Sequence, residues 1–415
     1  MAKKKLLFFS IFIIIILVFV LTVYNIIYKN NNIYLNNKDE APNFISIMLE
    51  ETAGSGEYKV SKSNKWPSKG YVFNKEMSYC NNGSTLTWNE NDNSVSVNIN
   101  KTDKCQVYFD IQPTLVEYVI SQYTGTQGGN GIYYHNSTLA NGAGDNSYRY
   151  AGPSDSVNNF VCFGTKANPC PTDNLYRIIG VMDGKVKLIK YDYANDNLLG
   201  TDGDYYGSDA PDASYYKGSL TTINTYYWNN ATKTNTWSES NLNKVNLNTN
   251  YINNIGITWA NKIATTTWKV GNGSIDKISF SVPKTAYQNE VGSSASTITY
   301  DAKIGLMYAS DYYYAAGPSA WTLVGYNYND ATNDYRAATS INWIHMGMHE
   351  WIISRDSYYS DKAYYASKPG FVTSYYVIGS EYYNLFGARP FFNLLSSITY
   401  VSGSGSMSDP IRITD

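Results

Sequence analysis

Charge is what this chain of 415 residues has least of. Asp, Glu, Lys and Arg together make up 16% of it, against roughly 25% in an ordinary soluble protein. Disorder is excluded for most of the length, because a disordered chain carries excess charge and few aromatics, whereas aromatics here reach 15%. A basic surface is also missing. Four Lys and no acid fall in the first 29 residues, which leaves 28 basic against 34 acidic side chains in the remainder. No nucleic-acid partner is expected, since binding phosphates requires cations that displace their counterions.

Histidine and cysteine are scarce, and their scarcity narrows the chemistry. The three His are His135, His345 and His349. His345 and His349 are four apart with Glu350 adjacent, a spacing that on a helix would bring two imidazoles to one zinc ion. The run around them reads as strand or loop, where residues four apart lie about 13 Å from each other, so no metal site is expected. Nucleophile elbows, phosphate-cradling glycine loops and EF-hand loops are absent, and no cofactor is expected. The four Cys are Cys80, Cys105, Cys162 and Cys170. None sits in Cys-x-x-Cys spacing, and disulfides are favoured. They fall into two local pairs, although three connectivities are formally possible.

Among what is present, the N-terminus stands out. Leu6 to Tyr28 contains no charge, and Ile11 to Val20 is unbroken apolar sequence. As a helix this run would extend about 35 Å, enough to cross a bilayer core of about 30 Å. Lys3, Lys4 and Lys5 precede it, so the positive-inside bias predicts a cytoplasmic N-terminus and an extracellular bulk. A cleaved signal peptide would be shorter and end in small residues. A single-pass protein of the cell membrane is therefore expected, with the membrane as partner of the N-terminal helix.

Beyond a polar, Asn-rich tether at 30–44, residues 45–111 predict a small β-rich module. Leu86–Trp88, then Val95, Val97 and Ile99 in alternation with polar residues, then Gln106–Asp110, read as strands. About 65 residues bury a meagre core, which a Cys80–Cys105 staple would support. Residues 112–415 form the second region. Thr114 and Glu117 make a capping box before a short helix at 114–123. Leu175–Met182 and Lys185–Tyr191 flank Asp183–Gly184, a two-residue hairpin signal. Residues 238–262 predict a helix with Leu242, Val245, Ile252 and Ile255 inward. Strands are predicted at Lys303–Tyr308, Glu350–Ser354, Ala363–Ser367, Phe371–Ile378 and Ala388–Leu394, and near Ile411–Ile413, with a type II turn at Lys368–Phe371.

The order LYRIIGVMDGKVKLIKYD (175–192), HEWIISR (349–355), GARPFFNL (387–394) and SGSGSMSDPIRI (402–413) resembles an uncharacterised family of bacterial surface domains. That family is distantly similar to the C-type-lectin-like fold of formylglycine-generating-type domains and of the variable proteins of diversity-generating retroelements. The resemblance covers most of 140–415. It implies that the strands bearing EW…R and GxRP form one central sheet and that the segment between them supplies a ligand face. The formylglycine-generating activity needs late cysteines, and none follows Cys170. The expected class is α+β: a transmembrane helix in 1–29, the tether, the disulfide-stapled β module and a lectin-like domain with long irregular loops.

Candidate site residues follow from tyrosine. The chain has 41 Tyr, and Tyr358, Tyr359, Tyr364, Tyr365, Tyr375, Tyr376, Tyr382 and Tyr383, with Asn384, lie among small polar residues. Tyr presents rigid amphipathic area at low entropic cost, and small polar neighbours adapt their hydrogen bonds. These nine residues are expected to bind an extracellular glycan or protein, with Tyr312, Tyr313 and Trp343 as further candidates. Glu350 is read as a structural ion pair with Arg355 or Arg389, and Trp351 as core. The functional expectation is a surface binding or adhesion-type protein and not an enzyme. The competing readings are an envelope enzyme acting on glycans or sulfated substrates, or a structural or pilus-associated subunit.

Overall fold

The computed structural model describes residues 45–414, apart from 68–69, 90–93, 99–102, 271–272, 296 and 380–385. The chain divides into two units after Ile111. In the first, β1 (Ile45–Glu50), β2 (Tyr58–Val60), β3 (Tyr71–Cys80), β4 (Thr85–Asn89), β5 (Ser94–Asn98) and β6 (Cys105–Ile111) follow one another. They form a four-stranded sheet in the order β2-β1-β6-β3 and a β4–β5 hairpin. The alternating sequence places Val107 and Phe109 of β6 inside, beneath the rings of Phe73 and Trp88. Cys80 and Cys105 are cross-strand partners of β3 and β6 and are disulfide-bonded. The buried Asp103 carboxylate accepts the N–H groups of Asn82, Ser84 and Lys104 at 2.7–2.8 Å, which fixes the chain on both sides of that bond.

The second unit opens with the Thr114/Glu117 capping box, both of its reciprocal bonds formed, ahead of the helix Leu115–Ser121. Its main sheet takes β7 (Ile132–His135), β8 (Ser147–Tyr150), β9 (Phe160–Cys162), β10 (Leu175–Met182) and β11 (Lys185–Lys190). Asp183 and Gly184 both adopt positive φ, 49° and 67°, as a type I′ hairpin requires. Two ribbons follow, β12 (Tyr205–Asp209) with β13 (Ile223–Tyr226) and β14 (Thr266–Lys269) with β15 (Thr299–Ala302). After β16 (Ile304–Gly305) come β17 (His349–Arg355), β18 (Lys362–Ala366), β19 (Val372–Tyr376), β20 (Phe386–Gly387) and β21 (Phe391–Asn393). The last pair is β22 (Tyr400–Ser402) with β23 (Arg412–Ile413). The main sheet runs β16-β21-β11-β10-β8-β7 with β9 on β10, and a second sheet runs β19-β18-β17-β20. Every residue of β10 is buried. A Cβ at Gly180 would collide with the Tyr148 carbonyl, so only glycine lets β8 approach there.

The expected α+β class is corrected: strands make up 33% of the structure and helices 19%. The apolar run at 6–28 and the tether at 30–44 lie outside the described residues, and among those described no helix is long and apolar enough to cross a membrane. The expected single-pass, cell-membrane localisation is corrected accordingly: no described helix can serve as its anchor. The ten-residue helix Leu242–Tyr251 shows why helices stay short. It would be about 15 Å long even as an α-helix, half a bilayer core, and its Asn side chains bond other backbone instead of facing lipid. Asn246 Nδ2 donates to the Leu199 and Asp202 carbonyls, and Asn248 Nδ2 to those of Asn243 and Ile304. The single central sheet is corrected as well. The EW…R strand β17 pairs with β20 in the four-stranded sheet, while β21, past Pro390, joins β11 in the other. Lys303–Tyr308 is strand only at Ile304–Gly305, and a helix follows at Ala309–Tyr314. The β18–β19 turn closes one residue earlier than predicted, Gly370 N–H donating to Ser367 O at 2.9 Å.

Tyrosine builds much of this core. Tyr193, Tyr308, Tyr313, Tyr314 and Tyr335 are buried, and each hydroxyl donates to a backbone carbonyl: Met348, Lys269, Ile278, Asn141 and Tyr313 respectively. A buried hydroxyl left without a partner would cost about 1–3 kcal/mol. Carbonyls in loops, at Asn141 and Met348, and at the ends of regular elements are thus satisfied by core side chains.

Candidate functional site

Downstream of β17 the chain turns back into β18 through residues 356–361. Three features shape this turn. Asp356 Oδ1 accepts the N–H groups of Tyr358 and Tyr359 at 2.8 and 3.3 Å, while Oδ2 accepts the Ser374 hydroxyl at 2.7 Å. Asn235, only 2% exposed, directs Nδ2 at the carbonyls of Asp356, Tyr359 and Lys362, each at 2.8 Å. Its backbone N–H donates to Ser360 O at 2.6 Å. Ser357 N–H donates to Gly273 O at 3.2 Å and ties the turn to a third segment. Short polar residues serve here because Asp and Asn side chains reach backbone groups of a turn in place of a ladder.

The turn holds its aromatic rings outward. Tyr358 is 80% exposed, Tyr359 47%, and Tyr376 on the neighbouring β19 is 45% exposed. The Tyr358 and Tyr359 rings meet edge to face at 4.9 Å. Lys362 Nζ stands 4.0 Å from the Tyr359 centroid and 5.0 Å from that of Tyr376. Tyr376 in turn meets Tyr375 at 5.5 Å. The result is a continuous surface of Tyr358, Tyr359, Lys362 and Tyr376 on a turn held from beneath by buried side chains.

The expected nine-residue face is thereby reduced. Tyr364 is fully buried and donates its hydroxyl to Gly273 O at 3.0 Å. Tyr365 is buried against Trp351 and Phe386, and Tyr375 is half-buried. Strand alternation would have exposed one of Tyr364 and Tyr365, but β18 is a middle strand with packing on both faces. Tyr312, Tyr313 and Trp343 are likewise core. Tyr382, Tyr383 and Asn384 lie outside the described residues. Lys362 and Asn235 were missed. Lys362 sits inside the tyrosine-rich segment, where its charge was a readable signal. Asn235 is more than a hundred residues away, and nothing in its neighbourhood marks it.

The other candidates are structural in geometry. Arg389 forks onto Glu350, Nε to Oε1 at 2.8 Å and Nη2 to Oε2 at 2.6 Å, and also donates to Ile344 O. Arg355 instead reaches Asn235 Oδ1 at 3.5 Å. Trp351 is buried, its indole N–H donating to Tyr226 O at 2.7 Å. His345 shares a 3.0 Å hydrogen bond with the Tyr312 hydroxyl, and His349 Nδ1 accepts the Lys368 N–H at 3.2 Å. Burial, with nearby cations, pushes their pKa values down to about 3 and about 4, so both imidazoles are neutral. Among the described residues the one cluster with ligand atoms close enough to hold a metal is Cys80, Asp103 and Cys105, and its two sulfurs are bonded to each other. Cys162 and Cys170 form the second disulfide. Protein-family models, curated proteins and solved structures were each compared with the chain, and none matches.

Proposed function

We propose that the chain is a recognition protein that binds carbohydrate through Tyr358, Tyr359 and Tyr376. The supporting observation is the combination of three exposed rings with a turn already fixed by Asn235 and Asp356. Ordering a loop on binding costs free energy, and a turn ordered beforehand avoids that cost. Flat Tyr faces suit the apolar faces of pyranose rings, and the hydroxyls remain available for hydrogen bonds. The two disulfides fit an oxidising compartment.

The test is binding of the purified chain to immobilised glycans and peptides. Tyr358→Ala and Tyr376→Ala are expected to weaken glycan capture about tenfold each, the equivalent of about 1.4 kcal/mol, with melting temperatures unchanged. Capture that persists undiminished in the double variant removes this surface from the function.

A further inference from the structure

We propose that the sugar recognised is acidic, a uronic-acid type of pyranose whose carboxylate meets Lys362; this rests on the carbohydrate reading above. The ammonium of Lys362 lies between the rings of Tyr359 and Tyr376. Its partners are those two faces alone: no hydrogen-bond acceptor or carboxylate engages Nζ among the described residues. Four other lysines differ. Lys59, Lys187 and Lys368 each have a carboxylate within 4.0 Å, and Lys269 Nζ donates to the Val291 carbonyl.

An ammonium has three N–H donors and no acceptor. Ring faces attract its charge without taking its hydrogen bonds. The donors of Lys362 are therefore left to solvent at the centre of an aromatic surface. A neutral sugar stacked there gains little from them, whereas a carboxylate forms a charge-assisted bond. The acids of the same turn do not satisfy the lysine. Asp356 is buried, its oxygens taken by Tyr358, Tyr359 and Ser374. Asp361, half-exposed, precedes Lys362 in the chain and adds a negative charge to the same turn. It works against an anionic ligand, which provides a second handle. An acidic peptide would also meet the ammonium, but three exposed rings give a pyranose more than they give a row of carboxylates.

The experiment compares trigalacturonic acid with neutral galactotriose on the full chain by calorimetry, with a triglutamate peptide as the third probe. Expected are at least tenfold tighter binding of the acidic trimer than of the neutral one and negligible binding of the peptide. Lys362→Met should abolish the acidic preference with the melting temperature unchanged, and Lys362→Arg should retain it. Asp361→Asn should increase the preference severalfold. Equal affinity for both trimers, or a preference that survives Lys362→Met, overturns the acidic assignment and leaves the carbohydrate reading in place. Peptide binding as tight as that of the acidic trimer also overturns it. Failure of every sugar to bind, together with indifference to Tyr358→Ala, overturns the carbohydrate reading itself.

Discussion

Asn235 donates from Nδ2 to the carbonyl of Asp356 at 2.8 Å across 121 residues of sequence. With its bonds to Tyr359 O and Lys362 O, this buried amide replaces the regular ladder that residues 357–361 lack. The turn that carries Tyr358 and Tyr359 is fixed by a residue that is itself buried.

Asn235→Ala removes the shared donor from three carbonyls. Buried acceptors left unmet cost about 1–3 kcal/mol each before water compensates, so a loss of about 2–3 kcal/mol in urea unfolding is expected. Amide exchange at 357–362 should accelerate well before the rest of the sheet. If exchange there is unaltered, the turn is held by something else.

The Glu350–Arg389 pair gives a second prediction. Truncating one partner of a buried pair typically costs 3–5 kcal/mol, because the other charge is left unmatched. Glu350→Gln and Arg389→Met should each destabilise by about that amount, and the double variant by much less than their sum. Additive losses would show that the two side chains act independently.

Lys190 is buried with no hydrogen-bond partner for Nζ, and burial lowers its pKa to about 8. In the unfolded chain the amine titrates near 10.4. Below pH 8 both states are protonated, and the fold carries the full penalty, about 3 kcal/mol. Between 8 and 10.4 the unfolded state binds more protons, so stability rises with pH. Lys190→Met should raise the melting temperature at pH 7, and the gain should shrink towards pH 10. A gain independent of pH would point to packing instead of charge.

The disulfides differ in the loop they close, 25 residues for Cys80–Cys105 and 8 for Cys162–Cys170. Chain entropy alone assigns about 3.5 kcal/mol to the longer loop and about 2.5 kcal/mol to the shorter. Cys80→Ala with Cys105→Ala should therefore unfold the 45–111 unit at lower urea. The same pair of changes at Cys162 and Cys170 should cost less. An equal or reversed order would mean that native packing around Cys162 outweighs the loop term.

Local chemistry was readable without coordinates. The Thr114/Glu117 cap and the Asp183–Gly184 hairpin are set by backbone bonds and φ preferences within a few residues, and each formed where its pattern lies. The amphipathic alternation of Val95 and Val97 likewise sufficed to place β5. Composition showed that tyrosine would dominate, but not where any ring would point. Tyr364 and Tyr376 belong to adjoining strands of one hairpin and to similar sequence, yet the first is sealed in the core and the second is open to solvent. That difference comes from what packs over each strand: Gly273 lies against Tyr364, whereas Tyr376, which meets Lys362 and Tyr375, keeps 45% of its surface exposed. Periodicity reports which residues share a face of a strand, a short-range property. Which face is covered depends on segments a hundred residues away, and that was decided by the tertiary structure alone.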